Sequence, residues 1–311
     1  MRATRLALVF APGGSEMDGK MVKLFSLLTT ACFATATLVA PMAQAADTVV
    51  AAATPATASA APSSPANQIQ LVWLVYLSGI KIGVVGLKSQ FVPGGYAAVS
   101  NLQTGGIVGA FYEAKIEANS AGYVASSSLR PTQYNADATS KKRQITQLRY
   151  ASSAVTLFAD PSYDTKRFPV PDELKLNTLD PVSAMTFAIS GISVTQQRPC
   201  GDTLHVFDGA RRYDVDFRFV ADVNLQADED GYGGPAVKCE VIYKQIAGFK
   251  PSVDQGKKSY PIYVWGAPFE TSATGPLKRF IVPVRIETET SFGTAKAIAR
   301  KISVDGARRT K

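Results

Sequence analysis

The stretch Leu74-Val-Tyr-Leu-Ser-Gly-Ile-Lys-Ile-Gly-Val-Val-Gly-Leu-Lys-Ser-Gln-Phe91 holds two apolar runs hinged at Ser78-Gly79. Each run is too short for a helix of ordinary length, and both are rich in β-branched residues, so the stretch reads as a pair of strands joined by a tight turn. The same rhythm continues through the chain. "GAFYEAKIEANSAGYVASSSLRPTQYNAD" repeats it with a turn expected at Asn119 to Gly122, and "KRQITQLRYASSAVTLFADP" adds two more strands. "DTLHVF" and "RRYDVDFRF" flank Asp208-Gly209, a strong hairpin signal. "AVKCEVIY", "YPIYVWGAP", "RFIVPVRIETET" and "GTAKAIARKISV" complete the run. Twelve or more strands without βαβ spacing predict a mainly β fold. Its large antiparallel sheet must curl, as an open barrel or spiral, to protect its edges.

One helix interrupts this pattern, in "LDPVSAMTFAIS". Asp180 suits the N-cap and Pro181 the first helical position, and Val182, Met185, Phe187 and Ile189 can pack one side on the sheet. The helix is expected to plug or clasp the curl.

Working toward the N-terminus, the folded part is expected to begin near Ile69. Residues 46–68 consist mainly of Ala, Thr, Pro and Ser, which cannot bury enough apolar area to offset ordering entropy, and they read as a flexible tether. Before them, residues 21–45 have the form of a secretory signal peptide: Lys23, an apolar run from Leu24 to Ala40, the Pro41 break, and Ala43-Gln44-Ala45 as the cleavage motif. Residues 1–20 read as an upstream extension, with Met21 as the alternative start. Residues 69–311 form a single β-rich unit with no later stretch of eighteen uninterrupted apolar residues, so no transmembrane span is expected. The expected location is the periplasm.

Composition agrees with an exported β protein. Of 311 residues, 46% are hydrophobic, enough for a sizeable core, and only 19% are charged. The formal charge is +8; the first 45 residues carry four basic and two acidic groups, so cleavage leaves +6. That mild surplus does not form the dense basic blocks of a nucleic-acid binder, and no nucleic-acid partner is expected.

The two cysteines of the mature chain, Cys200 and Cys239, read as a disulfide in an oxidising compartment. In "AVKCEVIY" alternation sets Val237, Cys239, Val241 and Tyr243 on one apolar face, against Lys238, Glu240 and Lys244. His205, the single histidine, lacks the partners a zinc site needs, and it is read as structural or superficial. In "RRYDVDFRF", Arg212, Asp214, Asp216 and Arg218 alternate with Tyr213, Val215, Phe217 and Phe219. This is a half-buried strand with cross-strand charge pairs outside and carboxylates that stay ionised. "DVNLQADEDGYGG" has Asp228, Asp230 and Gly231 at calcium-loop spacing, but Val237 stands where the twelfth-position Glu belongs, so it reads as a polar hairpin turn. The glycines of "QTGGIVGAF" lack phosphate-loop spacing, and the basic C-terminus is read as a solvated end. No catalytic motif, metal site or cofactor is expected.

The runs "YLSGIKIGVVGLK", "GYVASSSLRPTQYN", "KKRQITQLRY", "LDPVSAMTFAI", "CGDTLHVFDGARRYDVDF", "VKCEVIYKQIAGF" and "RFIVPVRIETETSFGTAKA" resemble the domain-of-unknown-function family 3108, over roughly Tyr76 to Val304. The resemblance implies an exported protein of Gram-negative bacteria with no assigned chemistry. At fold level the expected sheet is also similar to those of periplasmic lipoprotein carriers and spiral β-sheet envelope-integrity proteins. The functional expectation is a non-enzymatic envelope factor holding a lipid, another apolar ligand or an envelope protein partner in the concave sheet. Trp73, Tyr76, Phe187, Tyr213, Phe217, Tyr243 and Trp265 are its candidate lining. The alternatives are a cell-wall or lipid hydrolase using carboxylates such as Asp208 and Asp214, and a ligand-free scaffold.

Overall fold

The structure, a computed structural model, describes residues 66–105, 113–227, 231–250, 260–272 and 275–309. The upstream extension, the signal peptide and all but the last three residues of the tether lie outside the described residues. So do residues 106–112 of the glycine-rich stretch and Asp228 and Asp230 of the acidic loop.

Seven strands come first: β1 (Asn67–Leu77), β2 (Ile80–Val92), β3 (Gly95–Thr104), β4 (Lys115–Val124), β5 (Leu129–Thr139), β6 (Arg143–Tyr150) and β7 (Val155–Asp160). Two helices follow, α1 (Asp172–Lys175) and α2 (Pro181–Ser190). The chain then adds β8 (Leu204–Phe207), β9 (Arg212–Leu225), β10 (Gly234–Ala247), β11 (Ile262–Glu270), β12 (Arg279–Thr290), β13 (Gly293–Val304) and the short β14 (Ala307–Arg308). All belong to one sheet in the order β7-β6-β5-β4-β3-β2-β1-β13-β12-β11-β10-β9-β8, with β14 beside β13. Every strand pair is antiparallel. The first and last long strands, β1 and β13, zip the two halves together at the centre.

The predicted hinge at Ser78-Gly79 is a two-residue turn with both residues at positive φ, 49° and 83°, the twist that suits a tight hairpin. The turn expected at Asn119 to Gly122 does not form. β4 runs straight through to Val124, and the chain reverses at 125–128. The physical reason lies in the side chains: Ser120 points inward to a polar cluster, and Gly122 sits at a β-bulge where a Cβ would lie 2.2 Å from the Arg130 carbonyl oxygen. Glycine here serves close approach rather than reversal. The ordered sheet also begins earlier than expected, because Asn67 is fully buried and accepts from Leu277 N through its side-chain oxygen.

On β10 a bulge between Lys238 and Cys239 breaks the simple alternation. Ala236 and Cys239 are the buried positions, Val241 and Tyr243 pack on the core, and Val237 does not join them. The extra residue shifts the pleat by one, which moves Val237 off the face it was assigned.

Asp180 caps α2 as expected: its Oδ1 accepts from Val182 N and Ser183 N, both at 2.9 Å. The helix is not amphipathic, however. Ser183, Ala184, Thr186 and Ser190 are buried along with Val182, Phe187 and Ile189. The reason is the curl of the sheet, which brings β3, β4 and β5 against the helix from one side and β8 and β12 from the other. A helix enclosed in this way has no solvent face to make polar.

The two ends of the sheet approach one another without pairing. A Cβ on Gly209, in the β8–β9 turn, would lie 2.8 Å from Thr146 Cγ2 on β6 and 3.1 Å from Leu157 Cδ1 on β7. Leu179 forms a parallel bridge with Val206, so the segment entering α2 covers part of the β8 edge. The result is an open barrel whose seam is spanned by residues 161–180. None of the described helices is long and apolar enough to cross a membrane.

Candidate functional site

A buried polar cluster sits where the start of α2 meets the inner face of β3 and β4. Asp180 Oδ2 accepts from Ser183 Oγ and, at 2.8 Å, from Ser120 Oγ on β4. Ser120 Oγ and Ser183 Oγ are 2.7 Å apart, and the Tyr96 hydroxyl on β3 reaches Ser183 Oγ at 2.7 Å. One turn further along, Thr186 Oγ1 lies 3.1 Å from Ser89 Oγ on β2. Burial pushes the Asp180 carboxyl up to about 6, against the lowering effect of these hydrogen bonds. The same burial, reinforced by the Asp180 charge, raises Tyr96 above the ordinary phenol range. Both serines direct their hydrogens at Asp180 and both are buried, so the cluster fastens the helix to the sheet rather than presenting a nucleophile.

The carboxylates considered for hydrolysis sit in two unlike settings. Asp208 is buried in the β8–β9 turn, where its Oδ1 accepts from Ala210 N at 2.9 Å and Arg211 N at 2.7 Å. Burial raises its carboxyl, and the Arg211 charge opposes that rise. Asp214 lies on the outer face of β9 and contacts His205 Nδ1 and Arg212 Nη1, each at 2.6 Å. Partial burial raises Asp214, but the His205 and Arg212 hydrogen bonds win and hold it below the usual carboxylate range. Asp216 is held low by Lys244 and by Thr203 Oγ1. The outer face of β9 is thus the expected ladder of cross-strand ion pairs, Arg218 with Glu240 and Lys244 with Asp216. Arg212 departs from that pattern: it is buried and donates to Leu174 O at 3.2 Å, clamping the end of α1 onto β9.

Cys200 and Cys239 are bonded, with Cα atoms 6.0 Å apart. The bond ties the segment after α2 to the middle of β10. Among the described residues no group of three or more His, Cys, Asp or Glu side chains is arranged to hold a metal ion.

The seven aromatic candidates do not share one surface. Trp73, Phe187, Tyr213 and Trp265 are buried in the core, while Phe217 and Tyr243 pack against it from partly buried positions. Trp73 Nε1 donates to Pro283 O at 2.6 Å, and Tyr213 stacks on Tyr243 with centroids 5.0 Å apart. Lys238 Nζ stands 5.1 Å from the Trp265 ring centre. Tyr76 lies outside this core, paired with Lys81 on β2 and Lys296 on β13. Sequence reading passed over Ser89, Tyr96, Ser120 and Ser183. For Ser120 the inward phase of β4 carried the signal, once the turn at Asn119 is abandoned.

Among the described residues, clefts open on the surface, two of which are of note. One, of about 180 Å³, lies in the seam against Leu157, Pro169, Val170 and Phe207. The other, of about 380 Å³, lies between the outer ends of β2, β3 and β4, beside Tyr123.

No curated protein matches the chain. A β-barrel-like protein of the DUF1849 domain of unknown function from Brucella abortus is similar in structure, at 9% identity and a TM-score of 0.45, over 78% of this chain and 98% of that one. The sequence model of a family described as protein of unknown function (DUF3108) matches residues 72–300, a span that holds β2 to β12, both helices and parts of β1 and β13, so the chain belongs to this family.

Proposed function

We propose that this chain is an exported, non-enzymatic envelope protein that binds a protein partner by strand addition at β7. The observation that carries the reading is the contrast between the two sheet edges. β8 is partly covered by Leu179, whereas β7 ends the sheet with β6 as its strand partner and sets Leu157 and Phe158 at its surface, 37% and 56% exposed. An edge strand paired on one side offers a row of backbone donors and acceptors to an extended peptide. The concave side is occupied by α2 and the aromatic core, which favours a partner at the edge over an apolar ligand inside. Export rests on the signal-peptide pattern of residues 21–45.

The test is photo-crosslinking in cells from position 158, with position 301 on β13 as an exposed control. A discrete adduct from 158 alone, lost when Leu157→Lys is added while the thermal midpoint holds, supports the reading. Equal labelling at both positions, or an adduct indifferent to Leu157→Lys, overturns it. A mature N-terminus at Ala46 in periplasmic extract is expected, and an uncleaved cytoplasmic chain would refute export.

A further inference from the structure

The outer face of β2 to β5, opposite the helix, carries a second surface of different chemistry. Register places Gln90, Ala97, Ala121 and Gln133 side by side across the four strands. The next row is Lys88, Val99, Asn119 and Asn135, continued on β6 by Gln147. The two asparagines are already joined, with Asn135 Nδ2 donating to Asn119 Oδ1 at 2.9 Å, and Arg149 Nη1 donates to Asn135 Oδ1 at 3.0 Å. This sequence of bonds leaves the Asn119 amide N–H₂ free of any role in it and oriented by its neighbour.

At the edge of these rows lies the cleft of about 380 Å³, within the size range of small-molecule sites. Its floor is built from Gly95, Ala97, Ala121 and Gly122, so a flat ligand can lie on the backbone. Tyr123 stands beside it with 65% of its surface exposed, unusual for so large a ring. Gln90 and Thr132 complete the walls.

We propose that this face binds a glycan. Amide side chains present a donor and an acceptor in one plane, which matches vicinal sugar hydroxyls, each able to give and to take a hydrogen bond. An exposed aromatic ring offers its negative face to the C–H groups of a pyranose. The floor admits a ring, and the amide rows continue beyond it in the direction a second and third sugar would follow. An anionic ligand would call for a cluster of cations, whereas Lys88 and Arg149 stand at opposite ends of the two adjacent rows, on β2 and β6 with three strands between them, and Arg130, opposite Tyr123, donates to Asn177 Oδ1. An acyl chain would call for an enclosed groove, and this cleft is open to solvent. The glycan site is on a different part of the sheet from the β7 edge and does not depend on it.

The experiment is calorimetric titration of the mature protein with N-acetylglucosamine oligomers and with glucose oligomers of four to six sugars. Saturable binding of one series is expected. Tyr123→Ala should weaken it at least tenfold, and Ala121→Arg, which fills the floor, should abolish it. Both variants should leave the β7 crosslink in place. If Ala121→Arg does not fold, Tyr123→Ala at its exposed position decides alone. Binding by neither series, or equal binding by wild type and Tyr123→Ala, overturns the proposal, and the crosslink result then stands or falls separately.

Discussion

Asp180 shows how one side chain can serve both local and global structure. As an N-cap it satisfies two orphan amides, and as a buried carboxylate it costs solvation that Ser120 and Ser183 offset in part. Its folded value of about 6 lies above the ordinary 3.8, so the folded state holds a proton that the unfolded chain has already released between these values. Stability therefore rises as pH falls from about 6 toward 4, by about 3 kcal/mol for a shift of this size. Asp137, Asp216 and Asp305 have lowered values and act in the opposite sense, losing their contribution as pH falls below the ordinary carboxylate range. The expected outcome is a stability maximum near pH 4 in urea titrations, where the Asp180 contribution is complete and the lowered carboxylates are still ionised. Asp180→Asn keeps the cap but removes the charge, and it should flatten the limb between pH 4 and 6. An unchanged limb would show that Asp180 does not create it.

Among the elements, α2 and β10 are each held by something the local pattern does not contain. α2 has a cap at its start and Gly191 at its end in the left-handed region, yet its polar residues are tolerable only because Tyr96, Ser120 and Ser89 meet them. β10 receives the disulfide at Cys239, which closes a loop of 39 positions around the β8–β9 hairpin. On the loop-entropy account that closure is worth about 3 to 4 kcal/mol. The Cys200→Ser, Cys239→Ser double variant should lose that much in denaturant unfolding, and reduction of the native protein should match it. Intact mass under non-reducing conditions should be lower than the reduced mass by two hydrogens. A variant as stable as the parent would show that the β9–β10–β11 pairing suffices without the link.

In the molecule as a whole, stability should be graded across the sheet. β1 and β13 pair over nine positions at its centre, and Ile69, Leu71, Ile302 and Val304 beneath them are fully buried. β7 pairs on one side over six positions with its apolar residues partly in solvent. Native-state hydrogen exchange should therefore find the slowest amides in β1 and β13 and the fastest strand amides in β7, where opening breaks the fewest buried contacts. Equal protection in β7 would mean that its edge is already paired in solution, by a partner or a second copy. The seam matters at this scale too, since Gly209 against Thr146 and Leu157 is what brings the two edges close without joining them.

Strand identity was legible in the amino-acid sequence because the period of two depends only on neighbours along the chain. The bounds of β12, the hinge at Ser78-Gly79, the Asp208-Gly209 hairpin and the Asp180 cap all follow from local chemistry. The pairing of Cys200 with Cys239 was legible from the expectation that residues 21–45 are a cleaved signal peptide, which would take Cys32 with it and leave two cysteines. What the tertiary structure alone decided are features that need two distant segments to meet. The bulges at Gly122 and Lys238, which reassigned a turn and a face, arise from register against partner strands. The inward role of Ser120 exists only because α2 arrives sixty residues later to meet it. The amide rows across β2 to β5 are invisible along the chain, since each strand contributes one or two residues to them. Alternation reports that a side chain faces out; only strand pairing determines which other side chains stand beside it.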